Sequence, residues 1–193
     1  MDTTKEDRRI RRTKKLLKHA LAELMQEKDF KNITVKEITD RADLNRGTFY
    51  LHYTDTYDLL EKIENEILEN IQLMIDQNFE ELDISDSLSP VLFPIAEYIE
   101  ENADLCRSLL NNYASHDFTT KFQDLIQKNG VQFVKQQYPG NQQTNDTFFL
   151  SFISSGIVGL IRQWLNEPKF SRQELVVMAD KVITGAANKL LTK

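Results

Sequence analysis

The chain of 193 residues is predicted to be all-α, on three observations. Residues 1–89 hold one glycine and no proline, a long run without helix breakers. Apolar residues recur three and four positions apart in segment after segment. No stretch alternates apolar and polar residues convincingly enough to read as a half-buried strand. Hydrophobic residues make up 40% and charged residues 28%, a globular composition.

The elements follow in order. A first helix runs from about Lys5 to Glu27, with Leu17, Ala20, Leu21, Leu24 and Met25 as its buried stripe. Residues 28–32 break it. Thr34 and Glu37 have capping-box spacing and open a short second helix ending near Ala42. A third covers about Asn45 to His52, with Asn45 as N-cap. Asp55 or Thr56 caps a long fourth helix, with Leu60, Ile63, Ile67, Ile71 and Met74 on one face. After the polar residues 82–89, Ser89-Pro90 reads as N-cap and first turn of a fifth helix, which Pro94 delays or kinks. Shorter helices follow to Leu110, then a longer one over about Phe118 to Tyr138, and the most apolar one over about Asn145 to Asn166. Ser171 and Glu174 form a second capping box for the last helix, which ends near Leu190.

Charge divides the chain. Residues 1–54 carry 13 Lys+Arg and 9 Asp+Glu, leaving 11 basic and 21 acidic residues in 55–193. The overall net charge of -6 argues against a nucleic-acid binder, but the basic head points to a polyanion. A merely solvated lysine-rich helix reads equally well on charge alone. The domain boundary expected from this shift places a head at 1–54 and a body at 55–193. The single Cys excludes a disulfide framework and fits a reducing cytoplasm. The charged residues 1–20 are not expected to be a signal peptide.

Residues 34–53 carry the chemistry. Two short helices joined at Asp43-Leu44 match a helix-turn-helix, whose second helix enters the major groove of double-stranded DNA. Val35, Ile38, Ala42, Leu44 and Phe49 supply its small core. The groove side would carry Asn45, Arg46, Gly47, Thr48, Tyr50 and His52. Arg46 can pair with guanine or phosphate, Gly47 lets backbone approach the duplex, and Thr48 can touch a thymine methyl or a phosphate. Tyr50, His52 and Thr34 can donate to phosphate oxygens. Arg11, Arg12 and Lys15 of the first helix could reach the flanking backbone.

Phe30, Thr34-Val-Lys-Glu-Ile, Arg41-Ala42, Arg46-Gly-Thr-Phe-Tyr, His52-Tyr53 and Asp58-Leu-Leu resemble the tetracycline-repressor (TetR) family of bacterial transcription regulators. The match covers about residues 8–62; beyond it the likeness lies in length and helical layout. The resemblance implies a homodimer on a palindromic operator, with a small molecule or partner in the body controlling DNA affinity. Two departures stand out. Asp43 occupies a turn position that is usually Gly in the family, where positive φ is expected and Asp is tolerated. Thr56 stands where the family commonly has Lys, so no charged phosphate contact carries over there.

The resemblance also implies a dimer interface formed by the last two long helices. It places that interface on about 145–166, with Phe149, Phe152, Gly156, Gly159 and Trp164, and on 171–190, with Met178 and Val182. An ordinary intramolecular core helix is the alternative. Arg162, Gln163 and three serines argue against a membrane span over 148–165. Met74, Phe93, Tyr98, Cys106, Tyr113, Phe122 and Phe133 are candidates to line an effector pocket, though each reads more readily as plain core. Cys106 would be redox-active only if exposed.

His19, His52 and His116 lack metal-ligand spacing, and no nucleophile elbow or phosphate-binding glycine loop occurs. The sequence therefore calls for no metal, no cofactor and no catalysis. The expected function is a DNA-binding transcriptional regulator, a repressor by preference. The competing reading is a helical adaptor or an activator whose co-inducer is a protein.

Overall fold

The computed structural model describes residues 3–79, 87–111, 116–137, 145–167 and 169–191. Every regular element among them is helical: α1 (Thr3–Glu27), a 3-10 turn (Phe30–Asn32), α2 (Val35–Arg41), α3 (Arg46–Tyr50), α4 (Thr56–Phe79), α5 (Ser89–Glu101), α6 (Ala103–Asn111), α7 (His116–Gln137), α8 (Asn145–Asn166) and α9 (Arg172–Leu191). Two compact units emerge. The head comprises 1–67 and 104–116, and the body comprises 68–103 and 117–193.

The head is therefore larger than the sequence boundary at residue 54 supposes. The first part of α4 and the whole of α6 complete its core. Ile63 and Ile67 of α4, and Leu105, Cys106, Leu109 and Leu110 of α6, are buried with Leu17, Leu21 and Phe30. Ser108 of α6 donates to the Ala22 carbonyl of α1 at 3.2 Å.

The local signals at helix ends act as the sequence predicts. Thr34 accepts from the Glu37 amide, and Glu37 accepts from the Thr34 amide at 3.0 Å. Ser171 and Glu174 do the same at α9. Asp55 rather than Thr56 caps α4, taking the Asp58 amide at 2.8 Å.

At α5 the structure departs from expectation. Leu88 is the N-cap, Ser89 and Pro90 are the first helical residues, and Pro94 lies inside the helix without delaying its start. Leu88 has no capping side chain, and Asp180 of α9 supplies the acceptor instead. Its carboxylate takes the Leu88 amide at 2.7 Å and the hydroxyls of Ser87 and Ser89 at 2.7 and 3.3 Å. A charged acceptor on three donors ties α5 to α9 as well as satisfying the helix end.

In the body, Phe133 and Val134 of α7, Phe149, Leu150 and Ile153 of α8, Ala187 of α9 and Leu88 form one buried cluster. The segment Thr147–Asn166 is long and apolar enough to cross a membrane by length and composition alone, with mean hydropathy 1.4. Part of that apolar surface is used inside this cluster.

Candidate nucleic-acid interface

The turn between α2 and α3 is a complete Schellman motif. Asp43 has φ 53°, its amide donates to Asp40 O at 3.3 Å, and the Leu44 amide donates to Thr39 O at 2.9 Å. This is the left-handed position the sequence assigns to Asp43. Ala42, buried, precedes it. Ile38, Thr39 and Phe49 are fully buried beneath the turn. The Thr39 hydroxyl donates to the Val35 and Lys36 carbonyls, 3.0 Å each, so its burial leaves no polar atom unpaired.

Asn45 caps α3 by accepting the Gly47 amide at 2.9 Å. Its carbonyl oxygen is thus engaged, and its side-chain amide is the part left to meet another molecule. Phe49 turns inward against Tyr53, with ring centroids 5.6 Å apart. Tyr53 is itself buried, and burial, reinforced by the Glu66 and Asp58 charges, pushes its hydroxyl up to about 12. The outward side carries Arg46, Gly47 and Tyr50, the last 54% exposed. Thr48 and His52 are half-buried, and Thr34 is exposed at the start of α2.

Leu51 is 79% exposed beside Tyr50, and the sequence reading passed over it. Its signal is an apolar residue two positions beyond a buried Phe, at the C-cap of a short helix. At Gly47 an added Cβ would meet only Asn45 Oδ1 at 3.5 Å, an ordinary contact, and φ is not positive. Nothing inside the chain requires glycine there.

Ion pairs brace this platform. Arg41 of α2 meets Glu27 and Glu23 of α1 at 2.9 and 3.3 Å. Lys28 meets Glu37 at 2.5 Å. Lys28, then Thr34, hold the Glu37 carboxyl at about 2, well below the usual range. Lys62 donates to Asp58 and to the His52 carbonyl at 3.0 and 3.2 Å, fixing the exit from α3 onto α4. Lys18 pairs with Glu66.

On α1, none of residues 8–16 is buried and Leu17 is, so residues 8–16 project from the core. Arg8, Arg11, Arg12 and Lys15 are exposed, and their helical spacing sets them opposite the Leu17–Leu21–Leu24 stripe.

The residues expected in the body divide. Phe152, 70% exposed, Gly156 and Gly159, with open space around them, and Met178 and Val182 lie on exposed surface of α8 and α9. Phe149 and Trp164 do not. Phe149 belongs to the body's buried cluster, and Trp164 is buried with its ring N–H donating to Phe170 O at 3.0 Å. Trp164 lies about 120° round the helix from Phe152, while Phe149, about 60° from it, falls on the edge that the body's buried cluster covers.

A cavity of about 180 Å³ lies in the body, and Phe122 and Phe133 are among the residues that line it. Met74, Phe93, Tyr98 and Cys106 do not line it. Ile71 and Ile75 form the inner edge of α4 there, and Met74 sits one position off. Phe93 lies under the Arg172 guanidinium at 4.9 Å. The Tyr98 hydroxyl accepts from Asn70 at 3.2 Å. Cys106 belongs to the head core, where burial pushes its thiol up to about 12, the opposite of a reactive thiolate. Tyr113 lies outside the described residues. Among those residues no group of three or more His, Cys, Asp or Glu is placed to hold a metal.

Comparison with known proteins bears on this arrangement. Residues 17–63 match the profile of bacterial regulatory proteins of the tetR family, and residues 86–185 match a transcriptional regulator C-terminal region of the same group. The chain is similar to the HTH-type transcriptional regulator YxbF of Bacillus subtilis (strain 168), 25% identical over 114 residues. That stretch is 58% of this chain and 29% of the relative, so the chain spans about three-tenths of that protein's length.

Two solved structures share the fold. A TetR transcriptional regulator from Streptococcus agalactiae 2603V has TM-score 0.63 and 21% identity, covering 92% of this chain and 97% of that one. A transcriptional regulator from Aquifex aeolicus VF5 has TM-score 0.65 and 19% identity, covering 90% and 99%. The matched profiles span both the helix-turn-helix and most of the body, and the chain belongs to the TetR family of bacterial transcription regulators.

Proposed function

We propose that the protein represses transcription by binding a palindromic operator as a homodimer, with a small molecule in the body setting its affinity for DNA. The observation that carries this reading is the division of α3 into two faces. Phe49 is sealed inside, while Arg46, Gly47, Tyr50 and Leu51 meet water. In the major groove Arg46 reaches a guanine edge or a phosphate, and Tyr50, His52 and Thr34 donate to phosphate oxygens. Asn45 brings its amide, Thr48 its hydroxyl, and Arg11, Arg12 and Lys15 add charge along the flanking backbone. Gly47 leaves room for close backbone approach, a role that supplies the reason for glycine which the fold does not. Leu51 meets a thymine methyl, the apolar group of the major groove.

A single small head binds too weakly to select its site among many competitors, so two heads at fixed spacing are required. The exposed apolar residues Phe148 and Phe152 of α8 and Val182 of α9 support a second copy there, with Gly156, Gly159 and Met178 alongside. A ligand changes DNA affinity only if it binds the DNA-competent and DNA-incompetent states unequally. The duplex partner implies a cytoplasmic working place.

The test uses operator DNA selected from random duplexes by the full chain. Arg46→Ala and Tyr50→Ala are expected to weaken binding at least tenfold. Replacing thymine by uracil at the contacted position is expected to weaken the native protein several-fold and Leu51→Ala hardly at all. Equal affinity for selected and scrambled duplexes overturns the proposal. A second reading draws on the same exposed α8–α9 surface: an adaptor, or an activator whose co-inducer is another protein. A monomeric mass in solution favours it over the dimeric repressor.

A further inference from the structure

We infer that the body cavity binds an uncharged, largely hydrocarbon molecule of roughly six to ten carbons and rejects charged analogues of the same size. The inference rests on the reading that the body is the ligand-controlled part, and it names the chemistry of that ligand.

The cavity measures about 180 Å³ and is walled by residues of α4, α5, α7, α8 and α9. Native interiors leave few voids larger than a water molecule, so an opening of this size is not ordinary packing slack. Its size is close to that of an engineered apolar cavity of about 150 Å³ that stays dry and takes benzene. A larger aliphatic chain would need side-chain movement.

The walls decide the chemistry. They are almost wholly apolar: Ile71, Ile75, Val91, Ala96, Ile153 and Val176 are typical. Asn129 is the one side-chain amide in the lining, and its donors are already engaged. Its Nδ2 donates to Gln72 at 2.9 Å and to the Leu125 carbonyl at 2.8 Å, while its Oδ1 accepts from Gln72 at 3.1 Å. One lone pair on that oxygen remains, enough for a single hydroxyl and nothing more. Trp164 also lines the space, but its N–H is taken by Phe170 O. No Lys, Arg, His, Asp or Glu lies in the lining.

A carboxylate entering here would lose its hydration with no donor to replace it, and an ammonium would find at most one acceptor. Water meets the same problem, since an ordered water needs two to four polar partners. The walls therefore favour an apolar occupant and select by shape and apolarity.

The experiment measures thermal stability of the full chain with toluene, benzoate and benzylammonium, three molecules sharing one ring. Toluene at ten times its Kd is expected to raise Tm by roughly 3–6 °C, while the two ions leave it unchanged. Ala96→Leu fills the cavity and is expected to abolish the toluene shift. Val176→Phe fills it from another wall and serves if the first variant is poorly folded by circular dichroism. A shift with benzoate or benzylammonium equal to that with toluene overturns the inference. So does no shift with toluene, or a toluene shift that survives in a folded, filled variant. Operator binding is followed separately. Toluene that binds without changing operator affinity leaves the ligand class standing and removes ligand control. Specific operator binding without any toluene shift does the reverse.

Discussion

Asp43→Gly should stabilise the protein, and the expected size follows from the turn. Asp43 sits at the residue after the α2 C-cap with φ 53° and is exposed. The left-handed conformation costs an ordinary L-residue roughly 1–2 kcal/mol and Asp less, because its short polar side chain tolerates it. A carboxylate at a helix C-terminus also opposes the macrodipole by roughly 0.3–1 kcal/mol. Glycine removes both costs but returns about 0.4–1 kcal/mol through its freer unfolded chain. The net is a gain of about 0.5–1 kcal/mol, or roughly 1–4 °C in Tm for a chain of this length.

Asp43→Asn separates the two contributions, since it keeps the tolerant backbone and drops only the charge. Asp43→Val is the opposite control, because a β-branched residue at positive φ is a true outlier and should lose about 1–2 kcal/mol. Urea unfolding followed by circular dichroism at 222 nm reads all three. A destabilised glycine variant, or a valine variant as stable as the native chain, would show that the Schellman turn is not what limits this junction.

Three further outcomes follow from the same residues. Arg12→Ala with Lys15→Ala preserves helix propensity in α1 and should flatten log Kobs against log salt by about 3–4 in a dimer, at about 0.9 per phosphate contact; an unchanged slope removes α1 from the DNA interface. Asp180→Ala strips the acceptor from the buried Leu88 amide and from two hydroxyls, and should cost about 2–3 kcal/mol in urea unfolding, whereas a loss below about 0.5 kcal/mol would mean that water caps α5 equally well. The Glu37 carboxyl is held at about 2 against an ordinary 4.5, so its contribution is complete above pH 4.5 and is lost as pH falls toward 2; the urea midpoint of Glu37→Gln should fall less between pH 5 and pH 3 than that of the native chain, and parallel falls would refute the assignment.

What the sequence revealed and what it hid differ by the distance over which the deciding interaction acts. Both capping boxes, Thr34 with Glu37 and Ser171 with Glu174, close within three residues, and the spacing alone displayed them. The positive φ of Asp43 was equally local. The α5 start was misread because its acceptor, Asp180, lies on α9, 92 residues from Leu88. Sequence order alone places Cys106 with the body, because α6 follows α5, yet α6 packs into the head through Leu105, Leu109 and Ser108. No periodicity within α6 says which core its apolar stripe will join.

Helix α8 sharpens the point. Its apolarity runs almost all round, and the sequence accounted for that with a single partner surface carrying both Phe149 and Phe152. Phe149 and Phe152 are three positions and about 60° apart, so they border one edge of the helix, yet one falls inside the core and the other outside it. Phe149, Leu150 and Ile153 close the body's own core, while Phe148 and Phe152 stand 76% and 70% exposed on the other side. Burying one face satisfies folding, and exposed aromatic rings on the second face are a standing free-energy cost in water that a further partner would remove. Hydrophobicity therefore told how much of α8 wants covering, but the split between the chain's own core and an external surface became visible only when the helix was packed. A ligand in the proposed cavity would therefore meet the Phe149 side of α8, and the proposed second copy would meet the Phe152 side.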